Sequence, residues 1–101
     1  MTQREKWLLL LQNMKAEGFS GEESMNSEGA HEAYQKYKGW FWVEVGHNAS
    51  HWFCVGRNAD YTQFAVSSNQ YDSMENIDEC KVYRESGDLS TTLAGAYLGH
   101  Y

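Results

Sequence analysis

Three side chains with metal-ligand chemistry fall close together near the middle of the chain. They are His47, His51 and Cys54, in the run His47-Asn48-Ala49-Ser50-His51-Trp52-Phe53-Cys54, and Cys80 follows as a second thiol. Zinc takes four nitrogen or sulfur ligands in a tetrahedron, and His-x3-His followed by Cys has workable local spacing. The physical objection is that structural zinc sites bring paired ligands on a knuckle or one helix face, whereas this spacing lies across a turn between two strands. Cys54 also alternates with Phe53 and Val55, and a buried thiol most commonly behaves as a small hydrophobe. A structural role is therefore expected, with no cofactor. A metal-binding or hydrolytic domain using His47, His51, Cys54 and Cys80 is the alternative.

The hydrolytic form of that alternative can be stated residue by residue. His51 opens the apolar strand Trp52 to Val55, and Asn69 or Asp72 follows the next strand. This arrangement resembles the histidine and its orienting residue in papain-like cysteine hydrolases, over about a fifth of the chain. Those enzymes place their nucleophile at a helix N-terminus, where the dipole lowers the thiol pKa. The N-terminal third here contains no Cys. The remaining signatures of chemistry are missing: no glycine-rich phosphate loop opens a helix, and the adjacent acids Glu22-Glu23 and Asp78-Glu79 read as solvated loop residues. No catalytic residue is assigned.

Charge is more informative than any motif. The chain has 14 acids against 8 bases, a net charge of −6. Residues 17 to 32 carry Glu17, Glu22, Glu23, Glu28 and Glu32, and residues 60 to 80 carry Asp60, Asp72, Glu75, Asp78 and Glu79, with no Lys or Arg in either stretch. If the fold joins them, the chain presents an acidic face, made chiefly of Glu22, Glu23, Glu28, Asp72, Glu75, Asp78 and Glu79, able to attract a basic partner. The scattered bases form no patch for direct nucleic-acid or membrane binding. The apolar run Trp7 to Leu11 is too short for a signal segment or a bilayer span, so reduced thiols and a cytoplasmic location are expected.

These residues sit on elements that the pattern makes legible. At 101 residues, 42% hydrophobic and 15% aromatic, the chain has room for one domain with one core. Thr2 and Glu5 have capping-box spacing. Trp7, Leu10, Leu11 and Met14 recur on one face of a helix over about 2–17, and Gly18 stops it, with Phe19 folding back. Leu8 and Leu9 widen the stripe, predicting protein contact on more than one side. Ser20 to Gly29 reads as a loop and about 28–38 as a short second helix ended by Gly39. From Trp40 the period becomes two. Strands are predicted from Trp40 to Val45, Trp52 to Val55, Tyr61 to Val66 and Cys80 to Arg84, with turns at Gly46 to Ser50 and Arg57 to Asp60 and a loop from Ser67 to Asp78. Leu89 to Tyr97 fits either a fifth strand or a helical turn. The fold class is α+β, with a four- to five-stranded antiparallel meander.

The first strand is apolar on both faces, with Trp40 and Trp42 on one and Phe41, Val43 and Val45 on the other. Trp40, Trp42 and Trp52 are thus candidate interface anchors, and a homodimer through the sheet is one expected outcome. The function expected is a non-enzymatic protein-binding module. Its concrete form is a small acidic inhibitor occupying a basic, nucleic-acid-binding surface of a larger protein, as many phage and mobile-element anti-defence proteins of this size do. A purely structural dimerising subunit is the further alternative.

Overall fold

A computed structural model describes residues 1–26, 36–47, 51–70 and 81–96. Helix α1 (Gln3–Ala16) is followed by strands β1 (Ser24–Met25), β2 (Phe41–His47), β3 (His51–Arg57), β4 (Phe64–Gln70) and β5 (Lys81–Ser86), and then by helix α2 (Leu89–Ala96). The five strands form one sheet in the order β1-β2-β3-β4-β5, every pair antiparallel, as the α+β meander reading requires.

Both ends of α1 are set by local chemistry. The Thr2 hydroxyl accepts the Glu5 N–H at 3.1 Å while the Glu5 carboxylate accepts the Thr2 N–H at 3.0 Å, a reciprocal capping box. At the other end Gly18 takes φ +98°, the Phe19 N–H reaches the Met14 carbonyl at 2.9 Å, and the Gly18 N–H reaches that of Lys15 at 3.1 Å. This is a Schellman ending, for which glycine has no Cβ penalty. Trp7, Leu10 and Met14 are buried against Val43, Val45, Phe53, Val55, Phe64, Val66 and Leu89, which together make the core. Leu8 and Leu9 are about two-fifths exposed, and Leu9 lines a groove against Leu89 and Leu93 of α2, so α1 meets both the sheet and the second helix.

Several boundaries move from their expected places. The Ser20–Gly29 loop contains β1, which pairs Ser24 with Trp42 and Met25 with Phe41. Two residues carry no periodicity, and only the long-range pairing makes them a strand. Strand β2 runs on through Gly46 and His47, and β3 through Arg57, at the expense of the predicted turns. The third strand shifts from Tyr61–Val66 to Phe64–Gln70. Asn58 is the reason: its carboxamide oxygen accepts the N–H groups of Thr62 and Gln63 at 2.9 and 3.2 Å, drawing residues 58–63 into a turn. Ser67 and Ser68 are buried strand residues rather than loop. Of the predicted second helix, residues 28–35 lie outside the described residues; the chain from 36 makes a helical turn that ends at Gly39, φ +84°.

The last segment resolves as helix. Thr91 and Thr92 favour strands by propensity, but Leu89, Thr92 and Leu93 share the 3.6-residue spacing and turn inward, with Leu89 and Thr92 fully buried. Asp88 caps it. Its carboxylate accepts the Thr91 N–H at 3.0 Å and the Thr91 hydroxyl at 2.8 Å, and it also receives Gln3 Nε2 at 2.8 Å and Lys6 Nζ at 2.9 Å from α1.

The Lys6 ammonium, then Gln3 and Thr91, hold the Asp88 carboxyl well below its ordinary value near 3.8. The unfolded chain therefore takes up this proton first on acidification. The stabilisation is complete above the ordinary value and is lost as pH falls toward the folded-state value. Thermal melts from pH 7 to pH 2 are expected to show the wild type losing Tm below about pH 4. Asp88→Asn should start lower at pH 7 and show a shallower acid limb. Parallel acid limbs in the two proteins would refute the assignment.

Candidate functional site

The residue that organises the described surface is Arg57, the only Lys or Arg between Lys38 and Lys81. It ends β3 on the core face of the sheet, opposite Phe41 on one side and Phe64 on the other. Its side chain is 7% exposed. Three aromatic rings surround the guanidinium carbon, with centroids 4.0 Å away for Tyr61, 4.3 Å for Phe41 and 5.5 Å for Trp7. All three lie within the range of cation–π attraction. The guanidinium donates to Glu23 at 2.6 Å and to the Asn58 carbonyl at 3.1 Å. Arg57 Nε and Trp7 Nε1 are buried with no acceptor among the described residues.

Local structure delivers each member of this cage. The Schellman ending of α1 turns the chain so that residues 20–26 run back to the sheet edge, and Asn26 then bonds the Trp40 carbonyl at 2.8 Å. That places Glu23 one residue before β1. The Asn58-centred turn holds Tyr61 at φ +59°, in the left-handed region that non-glycine residues rarely adopt. Arg57 thus ties the loop bearing Glu22 and Glu23 to the turn bearing Asp60 and Tyr61. Glu22 and Asp60 are exposed beside it.

The expected acidic face is described only in part. Glu22 is exposed, Glu23 is an internal ion-pair partner, and Glu28, Asp72, Glu75, Asp78 and Glu79 lie outside the described residues. Arg57 was not among the candidates drawn from sequence, although its isolation between two acid-rich stretches was a visible signal.

The aromatic anchors sit on the opposite face of the sheet. Trp40 and Trp42 are half-buried, 6.2 Å apart and inclined by 26°. The Tyr37 ring meets both edge-on at 4.9 and 5.7 Å and is buried. Lys36 bridges to Glu85 on β5 at 3.1 Å, so residues 36–40 reach across this face from β2 to β5. Burial, reinforced by the nearby Glu85 carboxylate, raises the Tyr37 phenol above its ordinary value. The second apolar face of β2 is therefore at least partly covered by the chain itself. Trp52 is half-buried and pairs in register with His47 and Asn69.

The His and Cys candidates are spread along the sheet. His47 is exposed at the end of β2 and meets Phe19 edge-on at 5.7 Å. Cys54 is half-buried and pairs with Glu44, three positions from His47 along β2, and with Ser67. His51 opens β3 opposite Gln70, and Cys80 and Asp72 lie outside the described residues. No group of three His, Cys, Asp or Glu able to hold a metal ion occurs among the described residues, and no helix described is long and apolar enough to cross a membrane. No protein-family model, curated protein or solved structure matches the chain.

Proposed function

We propose that this chain is a non-enzymatic protein-binding module: a small acidic inhibitor that occupies a basic, nucleic-acid-binding surface of a larger protein, in the manner of phage or mobile-element anti-defence proteins. The observation that carries the reading is the Arg57 junction. By binding Glu23 and stacking on Tyr61, Arg57 joins the first base-free acidic stretch to the start of the second at one end of the sheet. It is itself buried there and adds little positive potential to the outer surface, where Glu22 and Asp60 remain exposed and Lys15 packs its stem against Gly21. With a net charge of −6 behind them, such carboxylates raise encounter rates with a basic surface by long-range attraction. Half-buried Trp40, Trp42 and Trp52 supply contact area of the type that anchors interfaces.

Affinity capture from lysate tests the reading with three arms. Wild-type protein should retain its partner at about 50 mM salt and lose it at about 500 mM, because screening shortens the reach of exposed charges. Glu22→Lys with Asp60→Lys should lose it at both. Added nucleic acid should displace it by competing for the same basic surface. Capture indifferent to salt and to charge reversal would overturn the proposal.

A further inference from the structure

We propose that the first turn of α1 is a latch for α2, and that α2 is a strap able to leave the sheet as a unit while the rest of the fold persists. The latch is polar and long-range in sequence. Gln3 contacts the start of α2 through both ends of its carboxamide: Nε2 donates to the Asp88 carboxylate at 2.8 Å and Oε1 accepts the Leu89 N–H at 2.8 Å. Lys6 adds its ion pair to the same Asp88 oxygen at 2.9 Å. One N–H left unsatisfied at the start of α2 is thus capped by a different helix, 86 residues away in sequence.

The strap has little means of standing alone. Its eight residues, Leu-Ser-Thr-Thr-Leu-Ala-Gly-Ala, include one glycine and two β-branched residues, and isolated helices below about 12 residues are marginal in water. Its persistence rests on burying Leu89, Thr92 and Leu93 and on its polar ties. On the sheet side those ties are Ser86 Oγ to the Asp88 carbonyl at 2.7 Å and to Thr92 Oγ1 at 2.8 Å, with Arg84 to the Thr91 carbonyl at 3.1 Å. On the α1 side they are Gln3 and Lys6. Between the two helices lies a groove of ≈ 260 Å³, walled by Leu9 and Leu10 from α1 and Leu89 and Leu93 from α2. Leu89 is seated in the core, while Leu93 is only partly buried along the groove. Departure of α2 would turn this groove into a wider apolar surface continuous with the sheet. The sheet keeps its own ladder, and α1 keeps its capping box and Schellman ending, so neither depends on α2 for its local bonds.

Hydrogen exchange read by mass spectrometry on the intact chain tests this. In Gln3→Ala/Lys6→Ala the amides of residues 89–94 should exchange about tenfold faster than in wild type, with those of β3 and β4 changed less than about twofold, the signature of a local opening. Gly18→Ala is the comparison: it strains the far end of α1 at φ +98° without touching the latch. It should accelerate α2 no more than it accelerates β3 and β4. Uniform acceleration in the double variant, no acceleration, or selective acceleration of α2 in Gly18→Ala would each overturn the latch. Should the double variant fail to fold, Gln3→Ala alone, which retains the ion pair, must show the same selectivity at about threefold; a uniform response there overturns it equally.

Discussion

Arg57→Ala is expected to destabilise the fold by about 3 kcal/mol, measured by urea unfolding followed through tryptophan fluorescence. Removing one member of a buried ion pair typically costs about 3–5 kcal/mol; the lower end applies because Glu23 retains 22% exposure and can recover some hydration. Two losses combine. The Glu23 carboxylate loses its 2.6 Å partner, and the rings of Trp7, Phe41 and Tyr61 are left facing a void where the guanidinium lay. The two can be separated. Arg57→Met refills part of the volume and leaves the carboxylate stranded, whereas Arg57→Met with Glu23→Leu removes the stranded charge as well. The double variant should recover more than half of the loss, and the cycle isolates the coupling. A loss below about 1 kcal/mol for Arg57→Ala would place the pair with exposed surface bridges and remove the junction on which the proposed acidic face depends. The reverse result has a functional corollary: variants that open the cage should separate the loop bearing Glu22 from the turn bearing Asp60 and weaken partner capture along with stability.

Gly56→Ala should cost about 1–3 kcal/mol, the range for forcing an extra group into a packed site. Gly56 pairs with Trp42 across the β2–β3 ladder, and the indole lies over it. A methyl group there would sit 2.5–2.7 Å from three atoms of the indole ring system. The ring cannot move aside without disturbing its neighbours, since Trp40 packs alongside it and Tyr37 meets it edge-on. Backbone conformation is no obstacle, because Gly56 does not occupy the left-handed region; any loss reports steric conflict. A tryptophan emission shift should accompany the loss, since the displaced ring is itself the probe. A variant as stable as wild type, with unchanged emission, would show that the Trp42 packing over β3 has been misassigned. Because the Trp40–Trp42 surface is a proposed contact, the same variant should also alter partner capture.

The sequence by itself determined α1 from cap to cap, because Thr2, Glu5, Gly18 and the i, i+3, i+4, i+7 stripe act within a few residues of one another. It likewise determined that β2 and β3 are strands, since Val43, Phe53 and Val55 repeat at the period that a pleated ladder requires. It also showed the imbalance of charge, which needs only counting.

Tertiary structure decided the rest, wherever the deciding bond is distant in sequence. Ser24 and Met25 are a strand because Trp42 and Phe41 lie beside them. Leu89 to Ala96 is a helix because Gln3 and Lys6 reach the residue that caps it, overriding the strand propensity of Thr91 and Thr92. Arg57 looked like a turn residue and became the centre of a cage, because three rings and Glu23 from four separate segments converge on it. His47, His51 and Cys54 lie close along the chain, and the strand pairing sets their register: His47 ends β2 opposite Trp52, and Cys54 faces Glu44. Short-range rules set the elements; burial of one cation, and the pairing of partners far apart in the chain, set which surfaces those elements present.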